Sequence, residues 1–210
     1  MRSIIFLIGA VILTSCSPTK FKTGWTKQKA PAQFAAHFTT TEGYFTIEAH
    51  REWSPSGVDR LYQLIKRGYF TDVPIYRVVP GFVAQFGLFD SAKITTWNNV
   101  KLPDEPVITG NTTGTLAFAR AGKNTRSTQF YINLANNAKL DTSGQKNGIP
   151  GFPVLAKVTS GLDVILKFFA YEDAPRRNLP KGKDAILFFK EKYAEMDYIK
   201  KAVVVKKGKG

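Results

Sequence analysis

Arg77 and the aromatic and amide side chains that follow it form the first group whose types and spacing could do chemistry. They lie in Tyr76-RVVPGFVAQFG-Leu88, which also holds Phe82, Val83 and Gln85. A second group lies in Gly114-TLAFARAGKNTRSTQFYINLANNAKLD-Thr142, with Ala119, Arg120, Ala121, Gln129, Tyr131 and Leu140, and Phe152 follows shortly after. A guanidinium offers several N–H donors in a rigid fork, and glutamine adds both donors and acceptors suited to a peptide backbone. Other chemistries have little to draw on. His37 and His50 are the only histidines and fall in one predicted hairpin, which leaves a zinc site or a Ser/His/Asp triad without ligands or a base. Neither a GxxxxGK[ST] nor a GxGxxG pattern is present. Carboxylate pairs exist, but none sits in an apolar run that would raise a pKa. Function therefore rests on something other than a metal, a nucleotide or an activated nucleophile, and no cofactor is expected.

Taken together, the two segments resemble the cyclophilin family of peptidyl-prolyl isomerases. In that family the first runs as an aromatic or His, Arg, two aliphatics, PGF, apolar residues, Gln and Gly; the second as a short strand, a small-residue loop, AG, NT, QF, an aromatic, Ile and LD. The resemblance covers roughly residues 33 to 205. It implies an isomerase that needs no cofactor or metal, with Arg77 as its catalytic residue. It places Phe82, Val83, Tyr131 and Leu140 in a proline pocket and Phe152 near the rim. Gln85, Gln129 and the loop Ala119, Arg120, Ala121 match positions that hold the substrate backbone. The chemistry fits: rotation about a prolyl bond breaks amide resonance against a barrier of about 18–20 kcal/mol. A dry pocket, a grip on the backbone and one donor can lower that barrier with no bond made or broken.

The match has departures. Lys139 stands where many members carry an aromatic, Arg120 replaces Asn, Phe86 replaces Gly, and Tyr131 replaces Phe. Arg120 and Lys139 could favour acidic residues beside proline. They also keep open a different class, a catalytically weak module that binds proline segments on the envelope surface. A third reading is a basic protein that binds an anionic envelope polymer.

The elements that must position these residues are legible in the periodicity. Phe34 to Ala49 reads as a hairpin turned at Glu42-Gly43, with Phe45, Ile47 and Ala49 on one face. Ser54 is a predicted cap, Pro55 a first helical residue, and Val58, Leu61, Tyr62 and Ile65 a helical stripe that ends at Gly68. Residues 73 to 87, 115 to 120, 128 to 134 and 152 to 158 each read as short strands, and Tyr198 to Val205 as a closing one. Period two in 128 to 134 puts Gln129 and Tyr131 on one face and Phe130 and Ile132 on the other. A second helix is predicted near 161 to 169, with Leu162, Ile165, Leu166 and Phe169 on one face, and a weaker one through Ile186, Phe189 and Tyr193. The fold class expected is all-β: a closed antiparallel barrel of about eight strands capped by two α-helices, cyclophilin-like by the resemblance.

Composition bounds the rest. The chain has 210 residues, 43% of them apolar, enough for one core, and a net charge of +14. Its basic residues are scattered apart from a Lys206, Lys207, Lys209 tail, so charge alone does not point to nucleic acid. Arg2 and the apolar run Ile4 to Leu13 form a signal-peptide pattern, too short to span a bilayer that needs about 20 helical residues. The run ends in Leu13, Thr14, Ser15, Cys16, which resembles a bacterial lipobox, and Cys16 is the one cysteine of the chain. The expected organisation is a signal peptide over 1–15, a lipidated Cys16 and tether over 16–32, and an isomerase domain over 33–210. The expected form is a monomer anchored in the cell envelope, at the outer membrane facing the periplasm in a Gram-negative organism, with exported proline-containing polypeptides as substrates.

Overall fold

Alternation in the first hairpin builds the first wall of the core. In the computed structural model, which describes residues 21–87, 96–171, 178 and 185–205, β1 (Gln33–Thr40) and β2 (Tyr44–His50) pair antiparallel. The register sets Phe34 against Ala49, Ala36 against Ile47 and Phe38 against Phe45, all buried, with the last two rings stacked at 4.9 Å. The expected signal peptide, the lipidated Cys16, Leu88 and the terminal lysines lie outside the described residues.

α1 (Pro55–Lys66) follows, with Val58, Leu61 and Ile65 buried as expected. Ser54 precedes it but makes no side-chain bond to the helix amides. Glu105 from a distant loop caps the helix instead, accepting from the amides of Ser56 (2.8 Å) and Gly57 (3.3 Å), and the Ser54 hydroxyl donates to the same carboxylate. A carboxylate at a helix N-terminus satisfies orphan N–H groups and suits the dipole better than a neutral hydroxyl.

The 73–87 run, read from the sequence as one strand, is three: β3 (Val73–Pro74), β4 (Arg77–Val79) and β5 (Val83–Phe86). Pro80-Gly81 turns β4 back on β5, with Gly81 at φ +70 and the Phe82 amide donating to the Val79 carbonyl at 2.9 Å. β6 (Thr115–Phe118), β7 (Phe130–Asn133), β8 (Val154–Ser160) and β9 (Tyr198–Val204) complete one sheet of nine strands in the order β3-β9-β1-β2-β8-β6-β7-β5-β4. Its two ends, β3 and β4, are joined by Ile75 and Tyr76 alone. Three Cα–Cα steps of about 3.8 Å span at most about 11 Å, so the sheet must curl until its ends lie that close. The curled antiparallel sheet bears out the expected all-β fold, with nine strands where about eight were expected.

Shorter helices among the described residues include α2 (Lys139–Thr142), α3 (Leu162–Ile165) and α4 (Ala185–Lys192). The helix expected over 161–169 is only the single turn α3. Ile165 and Phe168 are buried there, while Leu166 and Phe169 are 58% and 46% exposed, so the apolar face is not the one the spacing predicts. The Phe169 amide donates to the Asp197 carboxylate at 2.8 Å, and its ring packs against Tyr171 at 4.9 Å. Phe189 of α4 is buried, as its spacing predicts. Residues 21–30, whose composition reads as tether, are docked on the body: Phe21 packs against Trp97 at 5.0 Å, and the Gln63 side chain donates to the carbonyls of Thr26 and Gln28.

Candidate active site

Four strands converge on the candidate residues, and their register does most of the placing. Arg77 of β4 lies opposite Gln85 of β5, Gln85 opposite Tyr131 of β7, and Tyr131 opposite Ala117 of β6. Because side chains alternate across a strand, this row projects to one face. The neighbouring row, Val78, Ala84, Ile132 and Leu116, projects to the other face and fills the main core. One period-two pattern thus separates chemistry from core.

On the site face Val83, Ala117 and Tyr131 form a small apolar cluster of their own, flanked by Phe82, Ala119, Leu140 and Phe152. It contains every residue assigned to the proline pocket from the sequence, together with the rim residue Phe152. The Arg77 guanidinium carbon sits 5.6 Å from the centre of the Phe82 ring, so the cation stands at the edge of this hollow. Tyr131 and Phe152 meet edge to face at 6.0 Å. Gln85 is buried beside Arg77, and Gln129 is half-buried just before β7. The Ala119 amide donates to the Gln129 carbonyl at 2.9 Å, tying the 119–121 loop to this strand. Ala121, at the tip of that loop, is exposed.

Arg120 has a different place from the one its loop position suggests. Its guanidinium turns inward, pairs with Asp104 at 3.0 Å, donates to the Gly151 carbonyl and lies 4.6 Å over the Phe152 ring. Burial lowers its pKa from the usual arginine value, and Asp104 offsets part of that cost. Arg120 thus supports the rim from below rather than reaching into the groove. Lys139, by contrast, is exposed at the start of α2 with its ammonium 5.2 Å over Phe82.

Two further residues complete the site. Asn111 is fully buried beneath the pocket: its amide nitrogen donates to Asp141 (2.7 Å) and the Phe152 carbonyl (2.9 Å), while its oxygen accepts from the Tyr131 hydroxyl (2.8 Å) and Asn133 (3.1 Å). The hydroxyl that distinguishes Tyr131 from Phe is therefore fully used, and burial holds its phenol well above the usual tyrosine range. Nothing in the sequence around Asn111 marks this role, since its partners come from three separate segments. Gly151 adopts φ +87, and a Cβ there would lie 2.0 Å from the Asp141 carbonyl oxygen, so only glycine lets the chain pass close enough to aim Phe152 at the pocket. Tyr76 is the second: its hydroxyl donates to the Gln129 side-chain oxygen at 2.7 Å. Its signal was its place beside Arg77. Among the described residues no cluster of His, Cys, Asp and Glu could hold a metal ion.

Comparison with known proteins places this geometry. Residues 35–187 match the family model described as cyclophilin type peptidyl-prolyl cis-trans isomerase/CLD. Peptidyl-prolyl cis-trans isomerase A of Dickeya dadantii is 29% identical over 177 residues, covering 81% of this chain and 90% of that protein. Peptidyl-prolyl cis-trans isomerase B of Escherichia coli is 30% identical over 137 residues, covering 62% of this chain and 80% of that protein. Among solved structures, a cyclophilin-type isomerase of Cryptosporidium parvum superposes with a TM-score of 0.58 at 18% identity, covering 84% of this chain and 99% of its own. The same protein in the presence of the dipeptide Ala-Pro gives a TM-score of 0.57.

Proposed function

This chain belongs to the cyclophilin-type peptidyl-prolyl cis-trans isomerases, and from that premise we propose that it works in the cell envelope, held by a lipid on Cys16 and serving exported polypeptides. It catalyses cis/trans rotation about X-Pro peptide bonds, and proline-containing peptides are its ligands. The pyrrolidine ring packs into the cluster of Phe82, Val83, Tyr131 and Leu140 below Phe152. Gln85 and Gln129 hold the flanking backbone. Arg77 donates to the imide as resonance is lost and its nitrogen becomes pyramidal, a charge shift that a fixed cation stabilises more in the twisted state than in the planar one. Lowering the barrier by about 7 kcal/mol accelerates exchange roughly 10⁵-fold. The observation that carries these assignments is the Arg77 guanidinium at the edge of the Phe82 ring, in register with Gln85 and Tyr131.

The envelope location draws on Arg2, the Ile4 to Leu13 run and the Leu13-Thr14-Ser15-Cys16 sequence. Among the described residues no helix is long and apolar enough to cross a membrane. A monomer suffices for this reading, since the pocket is assembled from β4, β5, β6 and β7 of one chain.

A protease-coupled assay of prolyl exchange on the purified protein tests the site. Arg77→Ala should cut kcat/KM by about 10²–10³-fold with thermal stability little changed. Wild type and variant both exchanging at the solvent rate would leave no isomerase to explain.

A further inference from the structure

We propose that Tyr76 is a positioning residue for this site, holding the Gln129 side chain so that its amide nitrogen faces the substrate groove, and that the C-terminal aromatic segment braces Tyr76 for that purpose. The inference rests on the isomerase reading of the site.

The argument starts from Gln129. Both of its oxygens are engaged: the backbone carbonyl accepts from Ala119 and the side-chain oxygen accepts from the Tyr76 hydroxyl at 2.7 Å. A primary amide has one acceptor end and one donor end. With the oxygen drawn to the phenol, the nitrogen turns the other way, toward the face that Gln129 shares with Tyr131. A substrate backbone presents carbonyls there, so a donor is the useful end. Without the hydroxyl the two amide orientations are separated only by a broad terminal torsion. Part of the population would then set an acceptor against a substrate acceptor.

Tyr76 is well held. It is fully buried with Phe189, Met196 and Tyr198, and Tyr171, Phe188 and Tyr193 pack against that cluster. The same segment grips the backbone on either side of it: the Ile75 amide donates to the Asp197 carbonyl, and the Val78 amide to the Tyr171 carbonyl. The family model ends at residue 187, so Phe189, Met196 and Tyr198 lie beyond it. From behind, these residues brace the residue next to Arg77.

A double-mutant cycle with a structural readout tests the proposal in the full folded protein. Tyr76→Phe keeps the ring in the aromatic cluster and removes the hydroxyl. It should lower kcat/KM by about two- to fivefold, the effect of one ordinary hydrogen bond. Combined with Gln129→Leu it should cost no more than Gln129→Leu alone. In ¹⁵N NMR the Gln129 side-chain amide should be dispersed in wild type, shift on addition of an Ala-Pro peptide, and move toward random-coil positions in Tyr76→Phe. Additive losses in the cycle, or an unchanged Gln129 amide in Tyr76→Phe, would overturn the proposal, as would a variant that loses thermal stability while keeping kcat/KM. A wild type that does not accelerate exchange defeats the isomerase reading separately, because the NMR comparison needs no turnover.

Discussion

Lys139 and Arg120 show how two cations assigned alike from the sequence part company once their neighbours are known. Arg120 is neutralised by Asp104 and shielded from substrate, whereas Lys139 stands exposed over Phe82 with no carboxylate partner among the described residues. Nearby Asp141 is already bonded to the Asn111 amides. A preference for acidic residues beside proline should therefore come from Lys139 alone. Peptides with Glu before proline should have KM values about two- to fivefold below those with Lys, the difference shrinking at high salt, as for any exposed charge pair. Lys139→Glu should reverse the order and Arg120→Gln should leave it in place; equal turnover of Glu-Pro and Lys-Pro peptides by wild type would count against the idea. At this scale Arg77, Phe82, Gln85 and Tyr131 were legible because each sits in a spaced motif. Asn111 and Asp104 were not, since a lone polar residue in a loop carries no sign of what will surround it.

The helix α1 illustrates what periodicity gives and withholds. Its start, stripe and stop follow from Ser54, Pro55, the Val58-Leu61-Ile65 spacing and Gly68, yet its cap comes from Glu105 across the fold. Burial opposes ionisation of Glu105, but the Ser54 hydroxyl, the Ser56 amide and Arg126 together hold its carboxyl below the ordinary value of 4.5. A carboxyl depressed in the folded state contributes stability above that value and loses it as pH falls through the folded pKa. Glu105→Gln should thus destabilise the protein by about 1–2 kcal/mol at pH 7, with the difference from wild type shrinking as pH falls below 4.5. Thermal melts across pH 3–7 read this directly, and a gap that persists at low pH would show that packing, not charge, is at stake. The expected helix over 161–169 is cut short for a related reason: Asp197, just before the last strand, accepts from the Phe169 amide, and a local stripe cannot foresee a partner that distant.

For the whole molecule, the anchor and the catalyst should be separable. Cys16→Ser should move the protein from the membrane to the soluble fraction and abolish incorporation of a labelled fatty acid, while kcat/KM on a short Xaa-Pro peptide stays within about twofold, since the pocket residues lie on β4 to β7, α2 and the segment before β8. Continued membrane association of the variant would place the anchor elsewhere. The sequence by itself determined the class of chemistry, the faces of the first hairpin and of residues 128–134, and most of the pocket residues, because motif spacing and period-two alternation are local properties of a chain. Only the tertiary structure decided the rest: that the 73–87 stretch is three strands, two of them the ends of the sheet, that Arg120 turns inward to Asp104, that Asn111 underlies the pocket, and that the C-terminal aromatics back Tyr76. Each of these depends on residues far apart in the chain meeting at one point, and burial, ion pairing and hydrogen bonding act on what is near in space.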